Sequence, residues 1–274
     1  MSDPRPIGIF DSGVGGLTVV RAILDLVPGE PVLYFGDTAR APYGPRDVGE
    51  IRRFAREIAA YLLGRDVKLL VVACNAIESN AIEDLSERAS VPLVGVIEPG
   101  VRAALRATRN GRIGVIGTEA TIASGAYRRA VAAEDGGVEL MSVACPAFVP
   151  HVERGDTTSP ELLAAAHGYL APLGAAGIDT MILGCTHYPL LSGLLQRVMG
   201  PEVLLVSSAE ETAKDVYAAL LDGGLLRDGD SEPEHEFLCS GDPASFRLLA
   251  ARFLGPEAAG VRAQSVQPTR IAER

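Results

Sequence analysis

Short apolar runs alternate with longer amphipathic segments along almost the whole chain, and that alternation restricts the fold more than any other feature. The runs are "PIGIFDSG", "PVLYFGD", "VKLLVVACN" and "VPLVGVIE", then "RIGVIGTE", "VELMSVACP", "DTMILGCTH" and "EVLLVSSA". Gly, Pro or charged residues break each run within a few positions, as expected of strands buried on both faces. Between them, "GLTVVRAILDLV", "VGEIRRFAREIAAYLLGR", "SPELLAAAHGYLAPLGAAG" and "SAEETAKDVYAALLDGG" repeat apolar residues at steps of three and four, which predicts helices. Strands alternating with helices form mostly parallel sheets covered on both sides, so the expected class is α/β. Ligands of such sheets bind beyond the carboxyl ends of the strands.

A faint internal repeat divides the chain. "RPIGIFDSGVGGLT" opens one half and "GRIGVIGTEATIAS" the other, with Ile7 and Ile113 106 residues apart; Cys74 and Cys185 are 111 apart. Two marker pairs at nearly one offset predict two pseudo-symmetric domains whose strand ends face each other across a cleft. The expected division is 1–97 with 208–274 for the first domain and 98–207 for the second. "DGDSEPEHE" (228–236) reads as a surface loop, "FLCSGDPASFRLLAARFLG" as a last strand and helix, and the tail "QPTRIAER" as frayed.

Composition narrows the function. No apolar run approaches the roughly 20 residues of a membrane span, and "MSDPRPIGIF" carries no secretory apolar core, so the expectation is a cytoplasmic protein without a membrane partner. A net charge of −10 argues against nucleic acid as a partner. It also provides no long-range attraction for an anionic substrate, which local donors would have to hold. The four cysteines, Cys74, Cys145, Cys185 and Cys239, show no CxxC spacing, hence neither a disulfide framework nor a zinc ribbon. No metal is expected. Cys145 and Cys239 read as buried small hydrophobes.

Cys74 and Cys185 differ from those two in standing at strand exits. Asn75 reads as the N-cap of the next helix with Glu78 as a capping-box partner, which sets Cys74 at a helix N-terminus that favours a thiolate. Thr186 is a candidate cap for the helix that follows it, and His187 is either a packed polar residue or a functional one. "DSGVGGLT" brings backbone N–H groups into a turn suited to an anion, with Asp11 able to satisfy turn amides. "APYGPR" reads as a rigid turn carrying Tyr43 as an aromatic lid.

Taken together, "GIFDSGVGGLTV", "YFGDTARAPYGPR", "VVACN", "IGTEATIASGAY" and "LGCTHYPLL" strongly resemble the glutamate racemases of the cofactor-independent aspartate/glutamate racemase family, over essentially the whole chain. The resemblance implies two α/β domains, no cofactor, glutamate as the small-molecule substrate, D-glutamate supplied to peptidoglycan, and a homodimer. It implies that Cys74 and Cys185 are the acid/base pair, with Asp11 assisting Cys74, and His187 and Glu153, the latter a loop charge in "FVPHVERG", assisting Cys185. Ser12, Tyr43, Gly44, Asn75, Thr121 and Thr186 would hold the amino acid, Asp11 and His187 also bordering it. Two thiols make chemical sense, because inversion at Cα without a cofactor needs one group to remove a proton and another to donate one on the opposite face.

One departure matters. After the first cysteine the family has Asn and then Thr or Ser; here Ala76 stands third in that substrate-binding stretch, and Ile77 and Glu78 replace small residues. A donor worth about 1 kcal/mol, or up to about 3 with an unsatisfied partner, is thereby lost. The change affects substrate affinity and leaves open a related acid, such as aspartate, as the substrate. A non-catalytic acid-binding protein is the third reading.

Overall fold

Contiguous apolar stretches become strands in the computed structural model, which describes residues 2–134, 137–228, 231–255 and 263–266. In the first half, β1 (Ile7–Asp11), β2 (Val32–Gly36), β3 (Leu69–Val72) and β4 (Leu93–Val94) alternate with α1 (Leu17–Leu26), α2 (Val48–Leu63) and α3 (Asn75–Arg88). Helix α4 (Ile97–Ala107) leads into β5 (Arg112–Gly117), α5 (Glu119–Ala123), α6 (Ala126–Glu134), β6 (Glu139–Ala144), α7 (Phe148–Glu153) and α8 (Pro160–Ala175). Then come β7 (Thr180–Gly184), a 3-10 turn (Tyr188–Leu191), α9 (Ser192–Met199), β8 (Leu204–Val206), α10 (Ala209–Asp222), β9 (Glu236–Cys239), α11 (Pro243–Leu254) and β10 (Ala263–Ser265).

Two sheets result, with strand orders β10-β9-β2-β1-β3-β4 and β6-β5-β7-β8. Every described pairing is parallel. The orders β2-β1-β3-β4 and β6-β5-β7-β8 are the same topology twice, the physical basis of the internal repeat. The direction of strand order reverses between β1 and β3 and between β5 and β7, and it is at such switch points that α/β sheets bind ligands. Strands β1, β2, β3 and β7 are buried along their entire length, which is why their sequences are unbroken apolar runs. A continuous core that includes Val14, Val96, Ile116, Leu183 and Tyr188 joins the halves. No described helix is long and apolar enough to cross a membrane.

Several local expectations are corrected. "VPLVGVIE" is strand only at Leu93–Val94, after which the chain enters α4 at Ile97. Cys74, not Asn75, is the N-cap of α3, with φ −84 and ψ 118, and Glu78 does not close a capping box there. Its buried carboxylate reaches instead to α4, accepting from Val96 N at 2.5 Å and Ile97 N at 3.0 Å. Capping from another element satisfies donors that a helix start leaves open, and it pulls "VIE" out of the strand. Strand β10 is an addition the sequence reading lacks, and Glu236 of the expected loop starts β9. The tail "QPTRIAER" lies outside the described residues.

Burial pushes the Glu78 carboxyl up to about 8, outweighing the two backbone donors. A raised carboxyl contributes stability that is full below its ordinary value of 4.5 and lost as pH rises towards about 8. Thermal melts at pH 5 and 8 should therefore show a loss that Glu78→Gln, which keeps an acceptor for both N–H groups, largely removes. An equal loss in the variant would show that other groups carry it.

At the amino ends of the first sheet, Lys68 and Glu30 form a buried ion pair at 2.5 Å. Lys68 Nζ also donates to the carbonyls of Asp3 (2.7 Å) and Leu225 (2.8 Å), and Glu30 accepts from Arg227 N at 2.8 Å. The pair ties the chain start and the segment after α10 to the sheet edge opposite the strand exits.

Candidate active site

Four strand exits converge on one cavity of about 120 Å³. Ser12 follows β1, Cys74 follows β3, Thr118 follows β5 and Cys185 follows β7, and all four line it. Such a volume is well below the roughly 300–1,000 Å³ of pockets for drug-sized ligands and suits a small metabolite. Tyr43, Gly44, Asn75, Ala76, Glu153, Thr186 and His187 complete the wall from among the sequence candidates. Of the free cysteines, Cys74 and Cys185 line it and Cys145 and Cys239 do not. The two lining thiols are almost enclosed, at 5% and 7% exposure.

The surroundings of the two sulfurs differ. Cys74 Sγ lies 3.5 Å from Ser12 Oγ. Burial, and then the negative charge of Asp11, pushes its thiol up to about 12, so it holds its proton at neutral pH. Cys185 Sγ lies 3.8 Å from His187 Nδ1, and His187 Nε2 lies 3.2 Å from Glu153 Oε1. Burial opposes a charge on His187, but its contacts with Cys185 and Glu153, reinforced by Asp11, raise it to about 10 and keep it an imidazolium. The edge of Phe253, from α11, meets the His187 ring at 87° with centroids 5.7 Å apart.

Two candidates stand behind the wall. Asp11 is fully buried, accepting from Gly13 N (2.7 Å) and from Thr186 Oγ1 (3.3 Å) across the two halves. Thr186 therefore faces Asp11 and does not cap the following turn, whose N-cap is His187. Thr121 is likewise buried, its hydroxyl 3.0 Å from that of Thr118, which caps α5. Tyr43 borders the cavity, but its hydroxyl donates to Asp37, which also accepts from Ser240 Oγ at 2.6 Å; only its ring and backbone are left for a ligand. Glu153 is the last residue of α7, not a loop residue.

Packing requires at least one glycine of the glycine-rich turn. A Cβ at Gly15 would lie 2.3 Å from Thr186 Oγ1 and 2.6 Å from His187 Nδ1, so only glycine lets the β1 exit approach the β7 exit this closely. Sequence reasoning also missed Thr118, Pro146, Val149 and Pro150. For Thr118 a signal was present: the 106-residue offset that carries Ile7 onto Ile113 carries Ser12 onto Thr118. Among the described residues no Lys or Arg lines the cavity, leaving His187 as its cationic group. Among the described residues, no group of three His, Cys, Asp or Glu is placed to hold a metal ion.

Two thiols line one small cavity together with hydroxyl, amide and imidazolium groups, a set that can exchange protons with a small acid and donate hydrogen bonds to it. The family model for Asp/Glu/Hydantoin racemase matches residues 7–216. A glutamate racemase from Parafrankia sp. is 58% identical over 264 residues, covering 96% of this chain and 94% of that protein. Among solved structures, a Bacillus anthracis glutamate racemase superposes with a TM-score of 0.90 at 41% identity, covering 96% of this chain and 97% of that one. A Francisella tularensis glutamate racemase in complex with D-glutamate gives 0.91 at 33% identity, covering 98% and 99%.

Proposed function

The chain belongs to the Asp/Glu/Hydantoin racemase family and is an amino-acid racemase, and from that premise we propose that it interconverts L- and D-glutamate with Cys74 and Cys185 as opposed acid and base. The observation that carries the reading is that, of four free cysteines, the two at equivalent strand exits of the two sheets line one small cavity. The solved relative holding D-glutamate supports glutamate as the substrate.

In this reading the substrate's Cα lies between the two sulfurs. One thiolate takes the Cα proton, the electron pair left at Cα delocalises into the adjacent carboxylate, and the opposite thiol delivers a proton to the other face. One S–H bond forms and one breaks, so the product leaves the two sulfurs with exchanged protonation, reset by proton exchange. In the free protein Cys74 holds its proton and is the acid. Cys185, whose sulfur lies 3.8 Å from His187 Nδ1, is then the base of the pair. Ser12, Asn75, Thr118, Thr186 and the backbone at Tyr43 and Gly44 hold the carboxylates and stabilise charge developing at Cα, where preorganised donors act most strongly. Asp11 orients Thr186 from behind, and Glu153 orients His187. The two domains are 1–97 with 208–274 and 98–207, the protein is a cytoplasmic homodimer, and its product supplies peptidoglycan synthesis.

Circular dichroism of L-glutamate with the pure protein, without added pyridoxal phosphate or metal, tests the reading: the signal should decay to zero, and a constant signal rejects it. A parallel L-aspartate sample separates the alternative substrate. Ala76 lines the cavity where the family carries a hydroxyl. Ala76→Thr should lower KM about three- to tenfold, the effect of one added hydrogen bond, with kcat nearly unchanged. An unchanged KM would show that position 76 does not touch the ligand.

A further inference from the structure

Tyr127 lies in α6, outside the cavity wall, yet it touches both thiol-bearing strand exits. Its hydroxyl donates to Asn75 Oδ1 at 2.6 Å, and Asn75 follows Cys74 directly. Its ring rests against Gly184, which directly precedes Cys185: a Cβ there would lie 3.0 Å from Tyr127 Cε2 and 2.7 Å from the Ile116 carbonyl. Both partners are buried, Tyr127 in the core that includes Val115 and Ile182 of the second sheet. We propose that Tyr127 is a positioning residue for the reaction, a rigid spacer between the Cys74 and Cys185 exits that also fixes which way the Asn75 amide faces.

An asparagine offers one carbonyl oxygen and one NH₂ group, and the phenol O–H occupies the oxygen. Burial keeps that phenol protonated, with Glu78 and Cys185 adding to the effect, so it acts as a donor. Asn75 Nδ2 makes no hydrogen bond to the described residues and is left for an anionic ligand, as Asn75 borders the cavity. Tyr127 comes from the second half and Asn75 from the first, so the ring's length sets how near the two sulfurs stand across the substrate.

This inference rests on the reading of the protein as a glutamate racemase in which Asn75 contacts substrate. The test is steady-state kinetics in both directions on the parent, Tyr127→Phe, Tyr127→Leu, Asn75→Ala and the double variant Asn75→Ala with Tyr127→Phe. Phenylalanine keeps the spacer and frees the amide, so KM should rise about five- to twentyfold with kcat within about threefold. Leucine removes the spacer as well, and kcat should then fall by about thirtyfold or more, since displacing reacting groups by an ångström costs rates of that order. In the Asn75→Ala background Tyr127→Phe should add less than about a twofold change, the mark of two residues acting as one unit. A parental KM in Tyr127→Phe, or fully additive effects in the double variant, overturns the proposal while leaving the enzyme reading intact. A parent without racemase activity overturns the reading itself. Should Tyr127→Phe fail to fold, Asn75→Asp keeps an acceptor for the phenol but turns a carboxylate towards the substrate. Its KM should rise at least about fiftyfold, and a near-parental KM overturns the proposal.

Discussion

Cys74→Ser and Cys185→Ser are each expected to lower kcat for glutamate racemization by roughly 10²–10⁴-fold, the contribution of a positioned acid or base. A serine hydroxyl is a far weaker acid than a thiol, so neither the thiolate base nor the thiol acid survives the exchange. The single variants should nonetheless differ from each other. Each retains one working sulfur, which can remove and return the Cα proton on its own face, so each should wash Cα deuterium out of one enantiomer without inverting it. Cys74→Ser and Cys185→Ser should act on opposite enantiomers. Cys239→Ser, at a buried position away from the cavity, should keep parental rates. If both active-site variants racemize like the parent, or wash out the same enantiomer, the two-thiol mechanism is wrong.

The largest expected stability effect lies at the other end of the first sheet. Lys68→Met should cost about 3–5 kcal/mol, because it leaves the Glu30 carboxylate buried without its counter-charge. For a chain of this size that corresponds to a fall in melting temperature of roughly 10 °C. Combining Lys68→Met with Glu30→Gln removes both charges while retaining an acceptor for Arg227 N, and should restore at least half of the loss. Racemase kinetics below the new midpoint should stay parental, since the pair is remote from the strand exits. A melting temperature within 2–3 °C of the parent, about 1 kcal/mol, would mean that water reaches Glu30 and the pair is not truly enclosed.

Eight apolar runs are visible in the sequence, and β1, β2, β3 and β7, buried along their whole length, show why such a strand has to be one. The misreadings share a cause. Glu78 looked like a local cap for α3 because Asn75 lies three residues before it, yet its partners are at 96 and 97, brought near by the turn from β4 into α4. Thr186 looked like a helix cap and meets Asp11, 175 residues away. Tyr43 does border the cavity, but its hydroxyl donates to Asp37, which leaves its ring and backbone towards the ligand. A polar side chain carries no mark of which distant group it will meet, whereas an apolar run carries its own instruction to be buried.

Read along the chain alone, periodicity and repeat offset establish the class, the doubled α/β topology and the two cysteine-bearing strand exits, since those are local properties. Tertiary structure alone decided that Cys74 keeps its proton while Cys185 faces an imidazolium, because burial and the charges of Asp11 and Glu153 arise only on packing. It also decided that Thr118 lines the cavity and Thr121 stands behind it, and that one tyrosine from α6 spans both thiol-bearing exits. Those are distances between residues far apart along the chain, and no local pattern encodes a distance.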